Sequence, residues 1–260
     1  MKGFTALGLI ALLALPLVAQ KPKAIMINGN EGMITSVEST RTIRLLERNG
    51  YEVIYLEGFD ATWAKVKAKA QGAAIFIYSG HGSNAGYNGT GGLCLNNLDF
   101  WGPDIIPSQV FEEEIQLAPG ALVYFKGVCG GAGSSSNDVG DIGLAEACSR
   151  VSSYSYPFFN MGATAYFASN WHGDIEEVLL NLLAGVCLED IFLNNTHRGE
   201  SKKYLFDHTL DPTQFVWIAA RYYPKIHSHY PILKEDDAKY PGWSTYNMAF
   251  SGNPQYTLKH

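Results

Sequence analysis

The chain has 260 residues, 47% of them hydrophobic and 17% charged, which excludes a disordered or fibrous protein and suits one globular α/β domain with a substantial core. Its formal net charge is -6 and it carries no basic run, which argues against nucleic acid or an anionic membrane as a partner.

Residues 1–20, MKGFTALGLIALLALPLVAQ, place Lys2 ahead of an uncharged apolar run that Pro16 breaks before Leu17-Val18-Ala19. This is the layout of a secretory signal peptide, cleavable after Ala19. A retained membrane anchor is the alternative, but the run is short and ends in small residues, which favours cleavage. The remaining domain, residues 21–260, is expected to be secreted or periplasmic, with no stable membrane association once the leader is gone. Cys94, Cys129, Cys148 and Cys187 are compatible with two disulfides or with free thiols, and no Cys-x-x-Cys suggests zinc.

KAIMINGN (23–30) reads as a strand ending in Gly and Asn, and ITSVESTRTIRLLERNG as a helix closing on Asn49-Gly50. YEVIYLEG (51–58) is a second strand, ATWAKVKAKAQG a second helix, and AAIFIYS (73–79) a third strand. This alternation predicts a parallel sheet with helices on both faces, and the continuous apolar runs suit strands buried on both sides. Residues 83–107 read as a long Gly- and Asn-rich loop. SQVFEEEIQLAPG is expected to be a short helix capped by Ser108, and ALVYFKGVCGG a fourth strand ending at Cys129. IGLAEACSRVSSY follows as a helix and MGATAYFASNWHGD as a fifth strand. IEEVLLNLLAGVCLEDIFLNN and QFVWIAARYYP are helical candidates, and STYNMAFSGNPQYTL closes the chain as a sixth strand. No repeat or linker divides residues 21–260.

In open α/β sheets the ligand crevice lies beyond the carboxyl ends of the strands. His81 follows the third strand inside Ser79-Gly80-His81-Gly82, and Cys129 ends the fourth, one crossover later. If those strands are neighbours, an imidazole and a thiol share one rim. That pairing suits nucleophilic catalysis, because histidine generates the thiolate and later protonates the leaving amine. Gly82, Cys129 and Gly130 are the candidate oxyanion donors, since Gly130-Gly131 would leave amides free beside the sulfur. Taken singly, each residue has a plain structural reading: a His in a glycine turn, a Cys as a small buried hydrophobe. It is the joint placement that points to chemistry.

IYSGHG followed by a strand ending in VYFKGVCGG resembles the His-Gly and Cys motifs of the clan CD cysteine peptidases, and within that group the gingipains. GLAEACSR, GATAYFASNWHGD and YNMAFSGNPQYTL extend the likeness over about residues 73–258. The resemblance implies a three-layer α/β/α sandwich with a mostly parallel central sheet, caspase-like, and hydrolysis of peptide bonds in protein or peptide substrates. It implies His81 and Cys129 as the catalytic dyad, the Gly82 and Cys129 amides as oxyanion donors, and Trp171 as a wall of the specificity pocket. Many relatives carry an acid two positions before the cysteine, where Gly127 stands after Lys126, so preference for a basic P1 residue does not carry over. Asp138, Asp141 and Asp174 are the candidate acids to supply that charge, with Asp174 the substrate-binding candidate; each also suits a turn or helix cap. Asn28, Asn30 and Glu31 are candidates to orient His81.

No cofactor is required by this reading. NNLDFWGPD (96–104) offers oxygen donors for Ca²⁺, although not in a specific ligand pattern, and His227, His229 and His172 lack an acid or Cys at metal-site spacing. Asn88 and Asn194 head glycosylation sequons. The competing expectation is a catalytically inactive caspase-like domain that binds peptides or proteins, motivated by the missing acid before Cys129.

Overall fold

The computed structural model describes residues 20–29, 34–83, 91–96, 103–138, 140–169, 175–194, 202–223 and 243–259. In chain order the elements are β1 (Lys23–Asn28), α1 (Ser36–Arg48), β2 (Glu52–Glu57), α2 (Trp63–Ala70) and β3 (Ala73–Ser79). Then come β4 (Gly82–Ser83), β5 (Gly92–Asn96), β6 (Pro103–Pro107), α3 (Ser108–Glu114), β7 (Ala121–Lys126) and α4 (Gly143–Asn160). The chain continues through β8 (Ala163–Ser169), α5 (Ile175–Ala184), α6 (Leu188–Asn194), β9 (Lys202–Asp207), β10 (Phe215–Tyr223) and β11 (Trp243–Gly252).

The fold is α/β. An eight-stranded central sheet has the order β2-β1-β3-β7-β8-β11-β10-β9, and a three-stranded sheet has the order β4-β5-β6. β2, β1, β3, β7 and β8 run parallel, and the antiparallel β11, β10 and β9 extend the sheet on one side. Alternate residues of each central strand feed two cores. Phe76, Val123, Phe125 and Tyr166 pack with Val66 of α2, Phe111 of α3 and Val151, Tyr154 and Phe158 of α4. On the opposite face Met26, Ile77, Tyr124 and Phe167 pack with Leu46 of α1, Val178 and Leu182 of α5 and Phe192 of α6. Strands buried on both faces must read as unbroken apolar runs, which is why these were legible in the sequence.

Several expected elements differ. QFVWIAARYYP is not helical: Phe215–Tyr223 is β10, paired on both sides. Its Ala-rich centre permits a helix, but Val, Ile and aromatic residues fit a pleated surface and the ladder partners decide. The long helical candidate after residue 174 is two helices, parted where the chain turns at Gly185 and Val186 hydrogen-bonds back to Asn181. The described parts of 83–107 form the small sheet, with Pro103 and Pro107 bounding its edge strand, where a missing N–H costs least. Ser108 does not cap α3; Pro107 holds the cap position, and the Ser108 hydroxyl donates to the Gly91 carbonyl at 2.5 Å. β7 stops at Lys126, so Cys129 belongs to the turn that follows.

α1 starts on Thr35, whose hydroxyl accepts from the Glu38 amide at 3.1 Å. The Glu38 carboxylate reaches inward to the Lys126 ammonium at 2.5 Å, with side chains 10% and 5% exposed. Removing one member of a buried pair leaves an uncompensated charge. Lys126→Met should therefore lose about 3–5 kcal/mol in urea unfolding, and adding Glu38→Leu should recover most of it.

His208, in the β9–β10 connection, is 3% exposed. Its Nδ1 accepts from the Leu210 and Asp211 amides at 3.2 and 2.9 Å, so Nε2 carries the proton and donates to Ser155 Oγ at 3.0 Å. Burial lowers its pKa below the ordinary 6.5, against the opposing charge of Asp211. The folded state thus resists protonation more than the unfolded chain. The stability that neutral His208 confers is full above about pH 6.5 and falls as the pH drops through its folded pKa. His208→Asn, which keeps an acceptor but does not titrate, should differ most from the parent in thermal midpoint near pH 7.5. The difference should narrow towards pH 5.

Candidate active site

β3 and β7 are direct parallel neighbours, with Ser79 opposite Lys126. One register row continues across five strands: Glu57, Asn28, Ser79, Lys126 and Ser169 stand side by side at the carboxyl ends. Just beyond this row the chain leaves β3 through Gly80 towards His81 and leaves β7 through Gly127 and Val128 towards Cys129. The Gly80 amide donates to the Lys126 carbonyl at 3.4 Å, and the Gly127 amide to the Ser169 carbonyl at 2.9 Å. The two candidate catalytic residues are therefore delivered to one rim by adjacent strands.

Gly127 has φ 74°, a conformation that favours glycine. An acid at this position would be strained, which gives a backbone reason for the departure two residues before Cys129. Cys129 itself is 8% exposed and is a free thiol, as are Cys94, Cys148 and Cys187. Its Sγ lies 3.5 Å from Ser136 Oγ. The turn closes on itself: the Gly130 amide donates to the Ser134 carbonyl at 2.9 Å and the Gly131 amide to the Val128 carbonyl at 2.9 Å. Gly130 is thus already engaged, and the expectation that glycines after the cysteine leave their amides free is corrected. Glycine permits the turn, and the turn consumes the donors.

On the histidine side, the Cys94 amide donates to the His81 carbonyl at 3.0 Å, and Gly82 lies opposite Leu93. In an antiparallel ladder, bonded and non-bonded pairs alternate, so the Gly82 N–H faces away from β5. The two loops touch. A Cβ placed on Gly82 would come within 2.5 Å of Val128 Cγ1 and of the Tyr154 hydroxyl, and 3.1 Å from the Cys129 carbonyl. Glycine is needed here for space.

Two buried tyrosines knit the rim from below. Tyr78 donates to the His81 and Cys94 carbonyls, at 2.8 and 2.7 Å. The Tyr154 hydroxyl, from α4, meets the carbonyls of Ser83, of Gly92 at 3.2 Å and of Cys129 at 3.0 Å. Both belong to the core on the α2–α3–α4 side, so the His81 and Cys129 loops are supported by the same layer. Sequence reasoning missed both tyrosines, and it gave Cys94 and Ser136 no place beside Cys129. Burial, and after it the neighbouring Cys129, push the Cys94 thiol up to about 11, which keeps it protonated at neutral pH.

Two of the three acids considered for substrate recognition, Asp138 and Asp141, have other work. Asp138 pairs with Arg150 at 2.7 Å, both nearly enclosed, and accepts from the Ser135 amide at 2.7 Å, so it braces the cysteine loop. Arg150 also bonds the Gly133 carbonyl and Glu146. Asp141 accepts from the Gly143 and Ser244 amides and the Tyr246 hydroxyl; burial opposes its ionisation, but these bonds hold the carboxyl below its usual range. Asn28 spends its amide on Ile34 and Glu57, on the α1 side. Trp171, Asp174, His172, Asn30, Glu31, His227, His229, most of the Ca²⁺ candidate segment and the leader at residues 1–19 lie outside the described residues. Among the described residues no cluster of three His, Cys, Asp or Glu side chains suits a metal ion, and no helix is long and apolar enough to cross a membrane.

The chain matches no family model and no curated protein sequence.

Removing the Tyr154 hydroxyl would take away the donor shared between the β4–β5 pair and the Cys129 carbonyl. Tyr154→Phe should cost about 1–3 kcal/mol in denaturant unfolding. It should also raise the alkylation rate of Cys129 by iodoacetamide severalfold, followed by peptide mass spectrometry. An unchanged rate would mean the hydroxyl does not hold the two loops together.

Proposed function

We propose that this protein is an exported cysteine endopeptidase of caspase-like architecture that works through a Cys129–His81 dyad. The observation that carries the reading is the contact between the two strand-exit loops, with Gly82 against the Cys129 carbonyl and one tyrosine hydroxyl joined to both. A free sulfur at that junction supports it. The parallel order β2-β1-β3-β7-β8, with the candidate dyad just beyond the ends of its third and fourth members, also supports it.

In the proposed reaction, an extended peptide lies along the rim and the Cys129 thiolate attacks the scissile carbonyl carbon. The Gly82 and Cys129 amides receive the oxyanion; Gly130 does not, because its amide is bound to Ser134. His81 gives its proton to the departing amine as the C–N bond breaks, leaving an acyl-thioester. Water, deprotonated by His81, then releases the acid and regenerates the thiol. Trp171 and Asp174 are proposed to border the P1 pocket on the strength of the resemblance alone. The chemistry as written requires no cofactor.

A second reading has its own observation in favour. Cys129 is only 8% exposed and one predicted oxyanion donor is occupied, as suits a caspase-like domain that binds peptides or proteins without cleaving them.

The two separate in one experiment. Fluorogenic peptide pools are incubated with the protein, with and without Ca²⁺ and reductant, alongside labelling by a thiol-directed acyloxymethyl ketone. The peptidase reading expects turnover that Cys129→Ala abolishes together with labelling. His81→Ala should reduce turnover by roughly 10²–10⁴-fold. Turnover retained in Cys129→Ala would exclude the dyad, and silence in every pool with an unreactive Cys129 would favour the binding domain.

A further inference from the structure

Ser136 follows Cys129 by seven positions, yet its hydroxyl stands 3.5 Å from the Cys129 sulfur. The loop between them brings the two together. The Gly130 amide donates to the Ser134 carbonyl at 2.9 Å and the Gly133 amide to the Gly130 carbonyl at 3.0 Å, so the chain doubles back directly after the sulfur. Ser134 is then pinned to β11. Its amide donates to the Tyr246 carbonyl at 3.2 Å, and its hydroxyl accepts from the Tyr246 amide at 2.8 Å.

Beyond Ser134 the chain makes a tight turn over residues 135–138, closed by the Asp138 amide donating to the Ser135 carbonyl at 3.2 Å. The Ser135 amide donates to the Asp138 carboxylate at 2.7 Å, and the Asn137 amide to the Ser135 hydroxyl at 3.3 Å. Arg150 of α4 holds the same carboxylate at 2.7 Å. Ser136 is the first corner residue of this turn, caught between an anchor on the sheet and an anchor on a helix. The hydroxyls of Ser134 and Ser135 are committed to backbone amides, and that of Ser136 is turned to the sulfur.

We infer that the Ser136 hydroxyl donates a hydrogen bond to the Cys129 thiolate, stabilising and aiming the nucleophile before attack. This rests on Cys129 being the nucleophile of the proposed peptidase and adds a residue to its machinery. A thiolate only accepts, so once Cys129 ionises the hydroxyl must be the donor, and a hydrogen bond to the charged form favours that form. The surroundings leave this work to a neutral group. Asp138 is matched by Arg150, with side chains 7% and 8% exposed, so neither presents a bare charge to the sulfur. Cys94 on β5, Tyr78 on β3 and Tyr154 on α4 also lie by Cys129; burial pushes all three up, and they stay protonated at neutral pH. His81, across the rim, is the proposed proton carrier. During attack the negative charge passes from sulfur to the carbonyl oxygen, so the Ser136 bond is strongest before the reaction. The donor therefore raises the thiolate fraction and lowers the intrinsic nucleophilicity of the sulfur.

The test follows iodoacetamide alkylation of Cys129 against pH in the full chain. Fragment ions locate the label, because Cys129 and Cys148 share one tryptic peptide. Ser136 is exposed, so its variants should melt with the parent by circular dichroism. In Ser136→Ala the midpoint of the alkylation curve should move up by about one pH unit. The rate should fall roughly threefold below the parent's on the acidic limb and rise roughly threefold above it on the alkaline plateau, so the two curves cross. Ser136→Thr, which keeps the hydroxyl, should return the curve to the parent's, and Ser135→Ala, whose hydroxyl serves an amide, should leave the midpoint in place. An unmoved midpoint in Ser136→Ala overturns the inference, as do two limbs scaled in the same direction, which a change of access alone would give. So does a Ser136→Thr curve that follows Ser136→Ala, or an equal shift in Ser135→Ala. No peptide is cleaved in this assay, so its result is separable from that of the peptidase reading. Crossed curves without turnover in any peptide pool would reject the peptidase and keep the bond to the thiolate. Turnover that Cys129→Ala abolishes, with curves that do not cross, would keep the dyad and reject the role of Ser136.

Discussion

The candidate site depends on β1, β3, β7 and β8 keeping step. Their last residues, Asn28, Ser79, Lys126 and Ser169, occupy one register row, so the apolar interior stops at the same level on four adjacent strands. All four side chains are polar and buried, on the face covered by α1 and α5. Burying such groups is costly unless each finds a partner. Lys126 has Glu38, Ser169 has the Tyr124 hydroxyl at 2.8 Å, and Asn28 has Ile34 and Glu57. A slip of one residue in any pair would turn this row into the opposite core and carry one exit loop away from the other. Register, before any side-chain chemistry, makes His81 and Cys129 neighbours.

A shared rim is not yet a rigid site, because loops beyond strand ends are free to splay. Rigidity comes from the layer beneath. Tyr154 rises from α4 to carbonyls in the His81 segment, β5 and the Cys129 turn, and Tyr78 ties the His81 carbonyl to Cys94. Arg150, one turn before Tyr154 on the same helix, holds Asp138 and the Gly133 carbonyl at the far side of the cysteine loop. One helix thus braces both ends of the turn that presents the sulfur. The small β4-β5-β6 sheet is the third support, since its first strand is the residue pair that follows His81.

The parts of this plan that sequence pattern reveals are those set by local rules. β1, β3, β7 and β8 are unbroken apolar runs closed by polar or glycine residues, and two such runs separated by a crossover imply adjacent exits. β10 was lost because Trp217-Ile218-Ala219-Ala220-Arg221 satisfies helical and extended patterns alike, and only its ladders with β9 and β11 choose. The small sheet was lost because its strands are short and its pairing spans a Gly- and Pro-rich stretch with no periodicity to detect. Tyr154 was invisible for another reason: its hydroxyl serves a carbonyl 71 positions upstream, a distance no local pattern encodes. The Gly130 error is instructive in the same way. Glycine advertises a turn, but whether the amides of that turn point outward depends on Ser134 folding back.

The ionisable groups described around the rim are largely discharged inside the scaffold. Lys126 is matched by Glu38, Asp138 by Arg150, and Asp141 by three hydrogen-bond donors. The positive φ of Gly127 disfavours a carboxylate-bearing residue next to the sulfur's own strand exit. What these residues offer Cys129 is therefore polar and uncharged: the Ser136 hydroxyl, the Cys94 thiol held protonated, and backbone dipoles. On the peptidase reading such a setting suits the reacting carbonyl more than the substrate side chain. Fixed dipoles in the turn favour an oxyanion as it develops, while Asp138 and Asp141, the described acids of the rim, are already engaged and are not spare for a basic P1 residue. Charge selectivity on that reading would then fall to Asp174, beyond β8, and the catalytic half of the site can be rigid independently of the recognition half.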